Sequence, residues 1–189
     1  MQLRVKSSSS DASSCQTFGQ IEQTFGTGKV PQVFKRLKAQ PVLLAHLWGQ
    51  FQVLVLHGDL PRVLKELVGL VVATATHCDH IRGVLLHHLA QQAAGPETLA
   101  AIAQGNYDAA GISHATRAVL RYAAIAIANR SACGGIAKKQ WQTLHHQTMQ
   151  ALDDTGLEES ERLELIATIA LFEQLCTVAN LLQLGSESL

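Results

Sequence analysis

Charge is what this sequence has least of. Only 16% of its 189 residues are charged, against about 25% in an ordinary soluble domain. Neither sign is in surplus, since 15 Lys and Arg balance 15 Asp and Glu and the pI lies near 7.1. A compact monomer of this mass exposes roughly 8,800 Å² of surface, so the charges amount to about one per 300 Å². Zero net charge also provides no repulsion between copies. With 47% hydrophobic residues, the expectation is a homo-oligomer (dimer, trimer or hexamer) that buries apolar surface between subunits. A nucleic-acid partner is not expected, because a domain that grips phosphates needs clustered Lys and Arg. The nearest candidate, Lys29, Lys35, Arg36 and Lys38, is too short and local.

Cysteine is also scarce. Cys15, Cys78, Cys133 and Cys176 are too few and too scattered for a disulfide framework, and none has a Cys-x-x-Cys partner, so a reducing cytoplasm fits best. Met1 to Lys6 leads into Ser7–Ser10, not into the apolar run of a secretory signal. The longest uncharged stretch, Ala39 to Gly58, has the length of a membrane span. His46, Gln50, Gln52 and His57 interrupt it and Pro41 sits near its start, so a buried helix is expected and no membrane partner. No run alternates with period two between turn residues. The fold class is all-α.

Residues 1–28 are rich in Ser, Gln, Thr and Gly and read as a flexible tail, with an ordered piece around Phe18 to Phe25. Residues 29–189 read as one helical domain. Leu44, Leu47, Trp48, Phe51, Leu54 and Val55 make one apolar stripe. Gly58-Asp59 breaks that helix, and Pro61 opens the next, which runs to about Thr76 with Leu64, Leu67, Val68, Val71 and Val72 on one side. A further helix runs to about Ala94, where Gly95-Pro96 stops it. A short helix follows over Glu97–Gln104, then helices over Ser113–Asn129 and Lys138–Leu152, and a long last helix over Glu158–Leu184. The Ala- and Ile-rich Ser113–Asn129 is expected to be the central helix. Gly134-Gly135 separates it from the next, and the last carries Leu165, Ile169, Phe172, Cys176 and Ala179 as a stripe.

Thr74, Thr76, His77, Cys78, Asp79 and His80 form the densest polar group on an apolar background. A new helix is expected to begin at Thr76 or His77, so Cys78 stands near its N-terminus, where unpaired N–H groups and the positive dipole end lower a thiol's pKa. Arg82, one turn on, adds positive charge, and His80 can accept or shuttle a proton. The competing reading is a small buried cysteine beside solvated histidines. Glu66 lies among Leu64, Leu67, Val68 and Leu70, where a carboxylate needs a partner or stays neutral. It is either a proton-transfer group or a surface residue paired with Arg62. His77, Cys78, Asp79 and His80 sit side by side, and His145-His146 is an adjacent pair pointing to different faces. No metal or cofactor is expected.

Order and spacing from Val30-Pro31 to about Leu184 resemble the alkylhydroperoxidase D-like, or carboxymuconolactone decarboxylase, family. The features that carry the resemblance are the Val-Pro opening, Gly58-x-Leu60 leading to Glu66, Cys78 twelve residues later, Arg121-Tyr122-Ala123 and the closing Leu163–Leu184 segment. The resemblance implies an all-α bundle that assembles into oligomers. Redox members pair Glu with Cys-x-x-Cys-x-x-x-His, and the cysteines reduce a peroxide while Glu and His relay protons. Glu66 matches the glutamate and Cys78 the first cysteine, whereas the second cysteine falls on Ile81 and the histidine on Leu85. Where the family often has Asn-Arg near the C-terminus, this chain has Cys176-Thr177. Without a second local thiol, a sulfenic acid at Cys78 needs an external thiol reductant. As the missing base, His80 is nearer than His87 or His88, which lie roughly 13–15 Å along a helix from Cys78.

Three functions are compatible with this pattern. One is a divergent alkylhydroperoxidase-like enzyme that reduces peroxides through a single cysteine, with Cys78, Glu66 and His80 as its catalytic residues. Another is a non-catalytic oligomeric scaffold or small-molecule-binding relative that has lost the redox site. The third is a cysteine-independent decarboxylase-type enzyme for a small organic acid, using Glu66 and a histidine.

Overall fold

A computed structural model describes residues 9–92, 95–108, 110–131 and 138–185. The expected Gly134-Gly135 break and Cys133 lie outside the described residues. Every regular element among the described residues is a helix, and by contact the chain divides into two compact units, residues 1–53 and 54–189.

The first unit holds α1 (Ser9–Phe25), α2 (Gln32–Leu37) and α3 (Pro41–Phe51). Much of the segment read as a tail is therefore helix. Its ordering follows from Phe18, Ile21 and Phe25, spaced i, i+3, i+7 on one face. Phe25 joins Phe34, Trp48 and Phe51 in a cluster with ring centroids 5.6–6.2 Å apart. Phe34 meets Trp48 and Phe51 edge-on, at 88° and 83°, the arrangement that aromatic quadrupoles favour. Trp48 and Phe34 are among the largest fully buried side chains. A π-helical turn, Gln52–Leu56, follows α3.

The second unit contains α4 (Arg62–Ala75), α5 (Asp79–Gln91), α6 (Pro96–Ala103), α7 (His114–Ser131), α8 (Lys138–Asp153) and α9 (Glu159–Leu181). Its centre is α4, and not the Ala-rich α7. Nine consecutive α4 residues, Lys65–Ala73, are buried, and α5, α6, α7 and α9 all pack against this helix. A helix covered on every side has no solvent face, so each polar group on it must find a partner inside the protein.

Lys65 finds its partner on α9. Its Nζ lies 2.7 Å from Glu164 Oε1 and also donates to the His57 carbonyl. Glu164 Oε2 accepts the N–H groups of Asp59 and Leu60 at 2.7 and 3.2 Å. This one ion pair ties the 57–60 turn to both helices, and Gly58, at φ +92°, leaves room for the carboxylate: a Cβ there would lie 2.4 Å from Glu164 Oε1. Two turns of α9 later, Phe172 lies against Gly69 so closely that an added Cβ would sit 2.6 Å from its ring. Beyond that, Asn180 Nδ2 donates to Thr76 O at 3.0 Å. The contacts occur in the same order along both helices, so α9 runs parallel to α4. By length and composition α9 would suffice to cross a membrane, but Leu165, Ile169, Phe172, Cys176 and Ala179 are buried in the unit's core.

Two stability measurements follow. Glu164→Ala leaves Lys65 buried without a counter-ion and is expected to cost about 3–5 kcal/mol in urea unfolding. Burial alone would raise the Glu164 carboxyl, but Lys65 and the two N–H groups outweigh it and hold it below the ordinary 4.5. A folded-state pKa depressed in this way stabilises above the ordinary carboxylate range and loses its contribution as pH falls through the lowered value, so wild type should lose more stability than Glu164→Gln below about pH 4. Separately, Gly69→Ala is expected to cost about 1–3 kcal/mol by forcing α4 and α9 apart.

Candidate active site

Helix α4 ends in a tight C-terminal turn that delivers Cys78. Thr76 caps the helix, His77 takes the left-handed conformation at φ +52°, and the Cys78 N–H bonds the Ala73 carbonyl at 2.8 Å while the His77 N–H bonds Thr74 O at 3.2 Å. This is a Schellman motif with His in place of the usual Gly. Thr76 Oγ1 bonds the Val72 carbonyl at 2.8 Å and so secures the same turn. The chain then reverses, and Cys78 becomes the N-cap of α5, as its place in the sequence led us to expect. A sulfur stands where Ser or Asp would usually cap the helix.

Cys78 is fully buried, and so is Cys176 on α9. Their side chains face each other across the α5 start and α9, and this contact is the largest influence on both thiols. It lowers Cys78 from the ordinary 9.0 to about 7, helped by the N–H groups of Ile81 and His80 and opposed by burial and by Asp79. The same contact raises Cys176 well above the thiol range, and burial adds to that. The contact thus favours the charge on Cys78 and the proton on Cys176. Thr76 also hydrogen-bonds Cys176. Arg82, expected to lower the Cys78 pKa, instead pairs with Asp79 at 2.6 Å on the surface.

His80 is fully buried, with Nδ1 3.1 Å from the Gly185 carbonyl. A carbonyl only accepts, so Nδ1 bears a proton, and in the neutral ring Nε2 then has a free lone pair. Nε2 has no hydrogen-bond partner, and Thr74 Oγ1, four residues before Cys78, is likewise buried without one.

Glu66 belongs to a different cluster. Its Oε1 accepts Arg62 Nε at 2.7 Å, and its Oε2 accepts Gln92 Nε2 at 2.9 Å and His88 Nδ1 at 2.8 Å. The pairing with Arg62 is the one expected of a surface position, yet the Glu66 side chain is only 3% exposed. With His88 Nδ1 donating to Glu66, Nε2 is left to accept from Arg62 Nη2 at 3.3 Å. The α4–α5 pair is an antiparallel hairpin, with Cys78 at its closed end and Glu66 opposite His88 and Gln92 toward the open end. Ten residues of α4 separate Glu66 from Thr76, about 15 Å of helix. Glu66, Cys78 and His80 therefore do not share one hydrogen-bonded constellation. His88 was set aside for its distance from Cys78 along α5, but folding the hairpin makes it the imidazole that Glu66 holds. Cys176 stands in the sequence as a core-stripe residue and as a departure from the family's Asn-Arg, and nothing local marks its contact with a residue 98 positions away.

A sequence model of the carboxymuconolactone decarboxylase family matches residues 39–133. No curated protein matches the chain. Among solved structures, the fold is similar to that of debrominase Bmp8 in a cysteine-to-alanine variant complexed with 2,3,4-tribromopyrrole, with a TM-score of 0.72 at 17% identity over 100% of this chain and 94% of that one. It is similar, too, to the alkylhydroperoxidase AhpD core of an uncharacterized peroxidase-related protein from Ralstonia eutropha JMP134, with a TM-score of 0.72 at 20% identity over 92% and 86% of the two chains. An uncharacterized peroxidase-related protein from Silicibacter sp. TM1040 gives a TM-score of 0.74 at 18% identity over 92% and 85%. At these identities the likeness is one of fold.

The thiol geometry has a direct spectroscopic consequence. The ultraviolet thiolate absorbance of wild type, less that of Cys78→Ser, should rise with a midpoint near pH 7, where Cys78 is placed. A midpoint in the ordinary thiol range near 9.0 would contradict the thiol–thiolate contact.

Proposed function

The chain belongs to the carboxymuconolactone decarboxylase family, and from that premise we propose that it is a thiol-dependent reductase of small hydroperoxides with Cys78 as nucleophile. The observation that carries this reading is the Cys78 sulfur at the N-cap of α5, facing the Cys176 thiol of α9, a setting that draws its pKa down from 9.0 to about 7. A thiolate so held attacks the terminal oxygen of the hydroperoxide, the O–O bond breaks, and the leaving alkoxide takes a proton and departs as an alcohol, or as water from hydrogen peroxide. Cys78 is left as a sulfenic acid. An added thiol returns it to the thiol with loss of water and formation of the reductant's disulfide. Because Cys78 is completely shielded, the substrate class is small. Thr74 Oγ1 and His80 Nε2 are the polar atoms near it in sequence without a protein partner, and we assign His80 the nearby base. Glu66 serves by holding the hairpin together through His88 and Gln92.

A decarboxylase-type role for Glu66 is less well supported. Such chemistry needs a cation to anchor the substrate carboxylate, and Arg62 is already committed to Glu66 and His88. Exposed Val63, Leu163, Ile166 and Leu181 on α4 and α9 support a homo-oligomer, and a free thiol pair suits a reducing cytoplasm.

The test is peroxide consumption by the purified protein with dithiothreitol as reductant. Wild type should turn over hydrogen peroxide, and Cys78→Ser should lose at least about 100-fold, the scale of removing a catalytic nucleophile. Equal rates in the two proteins, or none in wild type, would leave a non-catalytic relative. The likeness to debrominase Bmp8 makes a brominated pyrrole a second substrate for the same assay.

A further inference from the structure

We infer that Cys176 is the resolving cysteine of this site, so that a thiol pair spanning two helices does what a Cys-x-x-Cys motif would do within one. The inference rests on the peroxide-reductase reading above and changes its second half: the sulfenic acid at Cys78 is resolved from within the chain and not by an external thiol.

Three observations converge on it. The two side chains are neighbours in the folded chain although 98 residues separate them in sequence. Both are free cysteines and both are fully buried. Bonds that bracket the pair hold it in place: Asn180, one turn beyond Cys176, donates to the Thr76 carbonyl at 3.0 Å, and His80, two residues beyond Cys78, bonds the Gly185 carbonyl at 3.1 Å. The sulfurs need only close from contact to the ~2.05 Å of an S–S bond. A shielded sulfenic acid is hard for an external thiol to reach, whereas a thiol already in contact has a very high effective concentration.

The chemistry balances. Cys78 thiolate takes the terminal oxygen of the hydroperoxide and becomes Cys78–SOH, and the alkoxide leaves as an alcohol after protonation. Loss of the negative charge on Cys78 removes the main influence that held the proton on Cys176. Cys176 then gives up that proton and attacks the Cys78 sulfur. The S–O bond breaks, hydroxide takes the proton to leave as water, and the Cys78–Cys176 disulfide forms. A dithiol restores both thiols and is itself oxidised to a disulfide. One peroxide thus consumes two protein thiols and no external thiol until the reduction step.

The experiment uses the full chain with Cys15→Ser and Cys133→Ser, so that Cys78 and Cys176 are its only cysteines. It is treated with one equivalent of hydrogen peroxide without reductant. The expected result is loss of two thiols per peroxide, a peptide pair linked through Cys78 and Cys176 by mass spectrometry, and no dimedone adduct. Adding Cys176→Ala, which keeps the site small and apolar, should cut the loss to one thiol per peroxide, give a dimedone-trappable Cys78 and lower turnover about tenfold or more. Circular dichroism on each protein, and Cys176→Ser as a second variant, guard against misfolding. A stable Cys78 sulfenic acid with Cys176 still free in the parent overturns the inference and leaves the peroxide-reductase reading standing. No reaction of Cys78 with peroxide in any of these proteins overturns both.

Discussion

The second unit is built on the burial of the middle of α4, Lys65–Ala73. A helix packed on by α5, α6, α7 and α9 must satisfy every polar side chain from inside, and α4 carries Lys65 and Glu66 side by side in the middle of its buried run. Adjacent helix residues point in different directions, so each recruits a different neighbour. Lys65 takes Glu164 of α9, and Glu66 takes His88 of α5 and Gln92, which caps that helix. The first bond sets the register of α9 and the second that of α5. Their joint effect is geometrical.

That geometry explains the thiol site. With Lys65 on Glu164 and Gly69 under Phe172, the parallel α9 reaches the end of α4 with Asn180 at the level of Thr76. Cys176, one turn earlier, meets Cys78 where the chain turns into α5. A shift of α9 by one residue would rotate it by about 100° and carry Cys176 away. The absence of a large side chain at Gly69 and the ion pair at Lys65 therefore contribute to the electrostatics of a sulfur about three turns away, through packing and not through charge.

Much of the fold was legible in the sequence. Apolar periodicity and the Gly58-Asp59, Pro61 and Gly95-Pro96 punctuation located the helices to within a few residues, and the start of a helix at Cys78 was readable from the polar cluster around it. Three things were not. The Ser- and Gln-rich start conceals an apolar face of only Phe18, Ile21 and Phe25, too sparse to outweigh its composition, yet α1 spans it. The centrality of α4 was hidden by Lys65 and Glu66, because charged residues argue for a solvent face until their partners are known. The role of Cys176 was invisible, since spacing along one helix reports only partners three or four residues apart, and this contact is made by the register of α4 against α9.

The account stands or falls on whether Cys78 and Cys176 form one redox couple. The most direct measurement equilibrates the native protein in glutathione redox buffers and follows both thiols by mass spectrometry. The account predicts that the two oxidise together, as a single two-electron transition giving the Cys78–Cys176 disulfide. Accumulation of a Cys78–glutathione mixed disulfide, with Cys176 remaining a thiol across the whole range, would contradict it.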